Sequence, residues 1–216
     1  MGLAQFSRLS GSQSLSARKT GYLPVDGSAE NVYAGNPGGR LWVPGECDVP
    51  VRDQDWFWQP GREHCLRSVE QLVDMYCNSV GRNCNLLLNA NPNPEGLIPD
   101  ADFRRYAEFG REIKRRFEHP VASTRGAGKL VEIRLARPEA VNHIVVMEDI
   151  ACGERVRAYE VKGLTPDGTR VKLCEGISIG HKRIQSFERR ELSAIQLCIT
   201  ASVADPQIRK LAVFNV

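Results

Sequence analysis

From Ser68 onward the apolar positions Val69, Leu72, Val73, Tyr76 and Val80 recur at steps of three and four, the spacing that lays one apolar stripe along a helix. Ser68 sits where an N-cap belongs, Glu70 falls one position short of a capping box, and Gly81 closes the run. Asn85 to Asn89 places three leucines between asparagines, too short for a helix, and predicts a buried strand that stops at the turn-rich "NPNPEG". Asp100 then caps a second predicted helix with Phe103, Tyr106, Ile113 and Phe117 on its apolar side. Helix, strand, turn and helix is the repeating unit of a barrel or a doubly wound sheet, whose ligands gather at the loops beyond the strand ends.

Beyond Pro120 the period changes to two. "VEIRL", "NHIVVMED", "RVRAYEVKGL", "TRVKLCEG", "KRIQSFE", "AIQLCIT" and "IRKLAVFNV" are seven strand-like runs separated by turns. Short strands at such spacing predict an antiparallel β-sandwich. The segment "EHPVASTRGAGK" carries the Pro, Ser, Thr and Gly of a linker, whereas residues 1–40 are rich in Gly, Ser and Pro with little periodicity. The expected organisation is an irregular segment at 1–40, an α/β segment at 41–120 and an all-β sandwich at 121–216.

Composition narrows the classes of partner. At 216 residues, 42% apolar and 25% charged, the chain reads as globular, and no run of ~18 apolar residues predicts a membrane-spanning helix. A net charge of +3 is too small to argue for nucleic acid, and the cluster Lys114-Arg115-Arg116 reads as the solvated face of a helix. The N-terminus lacks the continuous apolar core of a signal peptide. Seven cysteines form no CxxC pair and no metal spacing, so no metal or other cofactor is expected.

All three tryptophans fall in "LWVPGECDVPVRDQDWFWQPG", among Glu46, Asp48, Asp53 and Asp55. Aromatic faces beside carboxylates suit a sugar, whose C–H faces pack on rings while its hydroxyls need acceptors. A core tryptophan cluster with surface acids is the alternative reading of the same residues.

The segments Trp42 to Asp48 (W-x-P-x-E-x-D), Trp56 to Trp58, Val80 to Asn89 (V-G-R-N-x-x-L-L-L-N) and Gly96 to Ile98 together resemble the late part of the catalytic domain of the α-L-fucosidase family of retaining glycoside hydrolases. "VNHIVVMEDIACGERVRAYEVKG" and "SIGHKRI" resemble the β-sandwich that follows the barrel in one branch of that family. The resemblance implies the C-terminal part of an (α/β) barrel followed by a discoidin/galactose-binding-like jelly roll. It implies hydrolysis of terminal α-linked L-fucose from oligosaccharides or glycoproteins, in a lysosomal or extracellular setting.

Retention needs a carboxylate nucleophile and a general acid/base on opposite sides of the scissile bond. The family carries both upstream of the W-x-P-x-E-x-D segment, so the chain is expected to be a C-terminal portion without the nucleophile, with Gln13 near the acid/base position. By the same resemblance Trp56 and Trp58 belong to the substrate site, Trp56 against the C6 methyl of fucose. Glu46 would be an orienting carboxylate and the one candidate catalytic group, and Asn89 would support the pocket floor. An Asx turn opening "NPNPEG" is the other reading of Asn89, and Arg82 and Asn83 are expected to brace the helix-to-strand turn. The rival function is a non-catalytic carbohydrate- or protein-binding sandwich. A barrel remnant with an apolar strand is also expected to self-associate.

Overall fold

The structure, a computed structural model, describes residues 45–216; the expectations placed on residues 1–44, including Gln13 and Trp42, lie outside them. The chain runs β1 (Gly45–Pro50), a 3₁₀ turn (Glu63–Cys65), α1 (Val69–Asn78), β2 (Cys84–Asn89) and α2 (Asp100–Phe117). It continues through β3 (Ala122–Ala127), β4 (Leu130–Glu148), β5 (Val156–Leu164), β6 (Arg170–Gly176), β7 (Arg183–Ser202) and β8 (Gln207–Phe214). The described residues are mostly antiparallel sheet with few helices.

β1 and β2 pair in parallel, with Glu46 opposite Asn85 and Pro50 opposite Asn89. α1 is the crossover between them, as parallel pairing requires. Ser68 caps α1 through a capping box, accepting from Gln71 N at 3.2 Å while Gln71 Oε1 accepts from Ser68 N at 2.8 Å. Gln71, three residues after the cap, is the partner that a reading centred on Glu70 passes over. In α2, Asp100 is the first helical residue and Pro99 the cap. Phe103, expected on the apolar side of α2, is exposed, while Asp102 one position earlier is fully buried.

The antiparallel strands form one six-stranded sheet in the order β3-β8-β4-β7-β5-β6. Two pairs of the expected runs are single long strands. "VEIRL" and "NHIVVMED" both lie in β4, and "KRIQSFE" and "AIQLCIT" both lie in β7. The β4–β7 pairing shifts register between Arg134 and Glu139, and such an irregularity bends long strands. The expected linker is also corrected, because its residues Ala122–Ala127 form edge strand β3 on β8. Pairing with a partner supplies what the small, polar residues of "ASTRGA" do not signal by themselves.

The apolar pattern explains how the sheet is covered. Where residues alternate, as at Val131 and Ile133 or Ile195, Leu197 and Ile199, one face is buried in the main core. Where they run continuously both faces are buried: Ile144 and Val146 of β4, with Leu211 and Val213 of β8, face the main core. Val145, Ala212 and Phe214 face the other way, where Tyr76, Cys77 and Phe117 from the helices pack on them. Phe117 sits edge-on to Phe214, with centroids 5.6 Å apart, and stacks with Tyr76 at 6.3 Å. A fully buried aromatic such as Phe214 contributes about 1.5–3 kcal/mol over its exposed state.

Polar contacts fix the orientation of this joint. Ile184 N donates to Gly81 O at 2.9 Å, Asn83 Nδ2 to Ile179 O at 3.0 Å, and Lys182 N to Asn83 Oδ1 at 2.8 Å. Asn83 thus braces the sheet as well as its own turn. It does so from a left-handed conformation (φ 69°), which asparagine tolerates better than most residues.

A Cβ at Gly81 would lie 2.3 Å from the Cys77 carbonyl oxygen and 2.9 Å from Ile184 Cβ, whereas one at Gly110 in α2 would meet nothing within 4 Å. Gly81→Ala is therefore expected to lower unfolding free energy by about 1–3 kcal/mol. Gly110→Ala should raise it by roughly 0.5–1 kcal/mol, because alanine removes backbone freedom from the unfolded chain. Urea unfolding of both variants checks the pair of signs.

Candidate functional site

The loops that leave the C-terminal ends of β1 and β2 are tied to each other. Val51 N donates to Asn89 O at 3.2 Å, Asn89 Nδ2 donates to Trp56 O at 3.2 Å, and Asn91 Nδ2 donates to Asp55 O at 2.8 Å. Asn89 Nδ2 also reaches Asn91 Oδ1, so two side-chain amides carry the 51–67 loop on the 89–99 loop. The Asx turn of "NPNPEG" belongs to Asn93, whose Oδ1 accepts from Glu95 N at 3.1 Å and Leu97 N at 2.9 Å. That leaves Asn89 to hold the backbone of Trp56.

Two guanidinium–carboxylate pairs make the 51–67 loop rigid. Arg52 and Asp102 are both fully buried, with Nε 3.0 and 3.1 Å from the two carboxylate oxygens and Nη2 2.8 Å from Oδ1. Arg62 forks onto Asp55 at 3.0 and 3.1 Å, and its hydrogen bonds hold the Asp55 carboxyl below the usual range. Arg67 closes the neck of the loop, donating to Pro50 O at 3.1 Å and pairing with Asp53 at 2.8 Å. Asp53 and Asp55, which composition offered as acceptors for a sugar, are thus engaged in internal pairs. Asp102 carried no functional expectation, and its partner lies 50 residues away, beyond any local signal.

The structure places the other predicted residues in two groups. Trp56, 44% exposed, and Phe57, 82% exposed, project from the loop, with Trp58 half-buried beside them. Glu46 lies instead within β1, four residues before the strand ends at Pro50, roughly 13 Å back along the strand at an ordinary rise per residue. Asn85 Nδ2 donates to Glu46 Oε2 at 2.9 Å from the opposite register position. Asp48 lies two residues on, with Oδ1 buried and without a donor; burial pushes its carboxyl above the usual range, and the charge and hydrogen bond of Glu46 push the same way. Asn89 and Trp56 are brought together, and Glu46 joins Asp48 and Asn85.

A cavity of about 380 Å³ lies inside the loop, between Asp53 and Gln54 on one side and the His64–Arg67 stretch on the other. Its charged walls are Arg62 and the Arg67–Asp53 pair, and neither Trp56 nor Glu46 lines it.

A family model for α-L-fucosidases matches residues 35–117. A protein of Oryza sativa subsp. japonica assigned as α-L-fucosidase 1 is 31% identical over 84% of this chain and 41% of its own length. α-L-Fucosidase 1 of Arabidopsis thaliana is 28% identical over 87% of this chain and 44% of its own. The chain thus spans less than half the length of these curated relatives. Among solved structures, a Bacteroides thetaiotaomicron protein assigned as an α-L-fucosidase is 38% identical with a TM-score of 0.84, over 87% of this chain and 43% of that one. A Ruminococcus gnavus GH29 fucosidase in complex with fucose is 26% identical with a TM-score of 0.77, over 87% and 44% of the two chains.

Asn91 is the buried member of the amide bridge, and Asn91→Ala strands the Asp55 carbonyl while leaving the Asn89 amide only Trp56 O. Loss of about 1–3 kcal/mol of stability is expected. Asn85→Ala removes an exposed contact to Glu46 and should stay within about 0.5 kcal/mol of the parent. Guanidinium unfolding monitored by tryptophan fluorescence distinguishes the two.

Proposed function

We propose, on the premise that the chain belongs to the α-L-fucosidase family and covers a part of it, that it forms the Trp56-bearing wall of a fucose site. The whole protein is then a glycoside hydrolase that releases terminal α-linked L-fucose from oligosaccharides or glycoproteins. In this reading β1, α1, β2 and α2 are late elements of a parallel (α/β) barrel, and the antiparallel sheet is its jelly-roll companion. The observation that carries it is the pair of cross-linked loops at the C-terminal ends of two parallel strands, the end at which barrel enzymes build their sites.

Each residue has a physical task in that site. The exposed indole of Trp56 offers an apolar plane to the C6 methyl of fucose, and Trp58 extends the aromatic wall. Asn89 fixes the height of that plane by holding the Trp56 carbonyl. Glu46, kept in place by Asn85, is an orienting carboxylate on the β1–β2 surface. The retaining reaction draws its nucleophile from a carboxylate on an earlier barrel strand, so this 216-residue chain binds fucose without turning it over.

Titration with methyl α-L-fucoside, read by tryptophan fluorescence, should give a saturable change that Trp56→Ala removes. An aryl α-L-fucoside should be hydrolysed no faster than in buffer. Absence of any fluorescence change would sink the proposed site, and robust turnover abolished by Glu46→Gln would make Glu46 a catalytic group.

The same loops expose Phe57, Leu97 and Ile98, β2 exposes Leu87 and α2 exposes Phe103, and among the described residues β1 and β2 pair only with each other. Unpaired strand edges beside exposed apolar side chains favour association with a second copy. Light scattering should show a mass above 24.1 kDa that falls toward it in a Phe57→Ser/Leu97→Ser variant.

A further inference from the structure

The cavity of about 380 Å³ inside the 51–67 loop is framed by two short antiparallel segments. Asp53 N donates to Cys65 O at 2.7 Å and Arg67 N to Val51 O at 3.0 Å, with Arg52 bridged to Leu66 between them. Its size falls within the range of small-molecule sites, about 300–1,000 Å³. Gln54, on its wall, holds a left-handed backbone (φ 64°) that residues other than Gly, Asn, Asp and His seldom adopt. Such a conformation persists where its surroundings enforce it, and Asp53 and Asp55 on either side are each held by an arginine.

The wall offers more donors than the protein uses. Arg62 gives Nε and Nη2 to Asp55, which does not line the cavity, and its Nη1 makes no hydrogen bond among the described residues. Arg67 gives Nε to Pro50 O and Nη2 to Asp53, and its Nη1 is likewise unused. Gln71 accepts from Ser68 N through Oε1, which leaves its Nε2 without an acceptor among the described residues. Against the two guanidiniums the described lining sets one carboxylate, Asp53, so with His64 neutral the cavity is net positive.

That inventory selects the ligand. No aromatic ring stands among the described residues that line the cavity, so it offers no plane on which a sugar face could stack. A cation would meet two guanidiniums, and among the described residues no group of three or more acidic, His or Cys side chains could hold a metal. An oxyanion finds charge-assisted donors, the strong class of hydrogen bond. Gln54 ties the cavity to the aromatic wall, since it precedes Trp56 by two residues, a reach of at most about 7 Å. We propose that the cavity is a second saccharide subsite, in which Arg62 and Arg67 hold the carboxylate or sulfate group of an acidic sugar. The saccharide part rests on the reading of Trp56 as a fucose wall, whereas the anion part rests on the cavity alone.

The two signs of charge on the wall act in opposite directions. Asp53 repels such a ligand and competes with it for Arg67, so removing the Asp53 charge strengthens binding. Removing the charge of Arg62 weakens it, and added salt, which screens both arginines, weakens it too. Damage to the fold lowers affinity in every variant and cannot produce the gain expected of Asp53→Asn.

Calorimetric titration of the full chain in low-salt buffer tests this with glucuronate, galactose 6-sulfate, neutral galactose and inorganic sulfate. At least one of the two acidic sugars should bind and galactose should not; which acid binds tells carboxylate from sulfate. Arg62→Gln should weaken that acidic sugar by about tenfold or more, the loss of a hydrogen bond to a charged group. Asp53→Asn should tighten it by roughly threefold or more. Trp56→Ala should leave it within about twofold of the parent, so that failure of the fucose wall and failure of this subsite read differently. No heat from either acidic sugar, or equal affinity in the parent and Arg62→Gln, would overturn the subsite. Inorganic sulfate that binds as tightly as galactose 6-sulfate would overturn it as well, leaving an adventitious ion only.

Discussion

The candidate site depends on the buried pair of Arg52 and Asp102. Arg52 is the second residue beyond β1 and Asp102 lies in the first turn of α2, so their bidentate contact clamps the exit of β1 to the segment that follows β2. Neither group is tolerable alone without water, and removing one partner of such a pair typically costs about 3–5 kcal/mol. The exposed pair that Arg115 makes with Glu112 is worth about 1 kcal/mol or less. The buried pair acts mainly by excluding other arrangements of the two loops. With it in place, the amides of Asn89 and Asn91 can hold Trp56 and Asp55 at fixed backbone heights.

A second constraint links this unit to the sheet. The middles of β4 and β8 are apolar on both faces, so a cover on only one side would leave Val145, Ala212 and Phe214 in water. The α1–α2 pair supplies the second cover through Tyr76 and Phe117, and Gly81 allows the close approach that a side chain would block. The α1–α2 unit that carries the candidate loops and the antiparallel sheet thus share one interface.

Much of this was legible in the residues. The three-and-four spacing after Ser68 marked α1, the leucines before "NPNPEG" marked β2, and the continuous runs "IVV" and "LAVF" carry the signal of two-sided burial. The resemblance in Trp42–Asp48 and Val80–Asn89 pointed to the family that the comparisons identify. What escaped was long-range. β3 owes its extended form to β8, and the merging of four expected runs into β4 and β7 follows from their mutual pairing rather than from local turns. Arg52 and Asp102 stand 50 residues apart, so no local pattern marks them as a pair before the fold brings them together. The amide of Asn83 likewise looked local, although it crosses to Ile179 and Lys182.

The central claim, that one buried ion pair holds the two loops as a single body, is tested most directly by a double-mutant cycle on Arg52 and Asp102. The readout is amide exchange across residues 51–67 and 89–99. Arg52→Met or Asp102→Leu alone should raise exchange throughout both loops, because each strands a buried charge. The double variant, which replaces the pair with apolar groups, should recover most of the protection. Single variants that leave either loop as protected as in the parent would contradict the account.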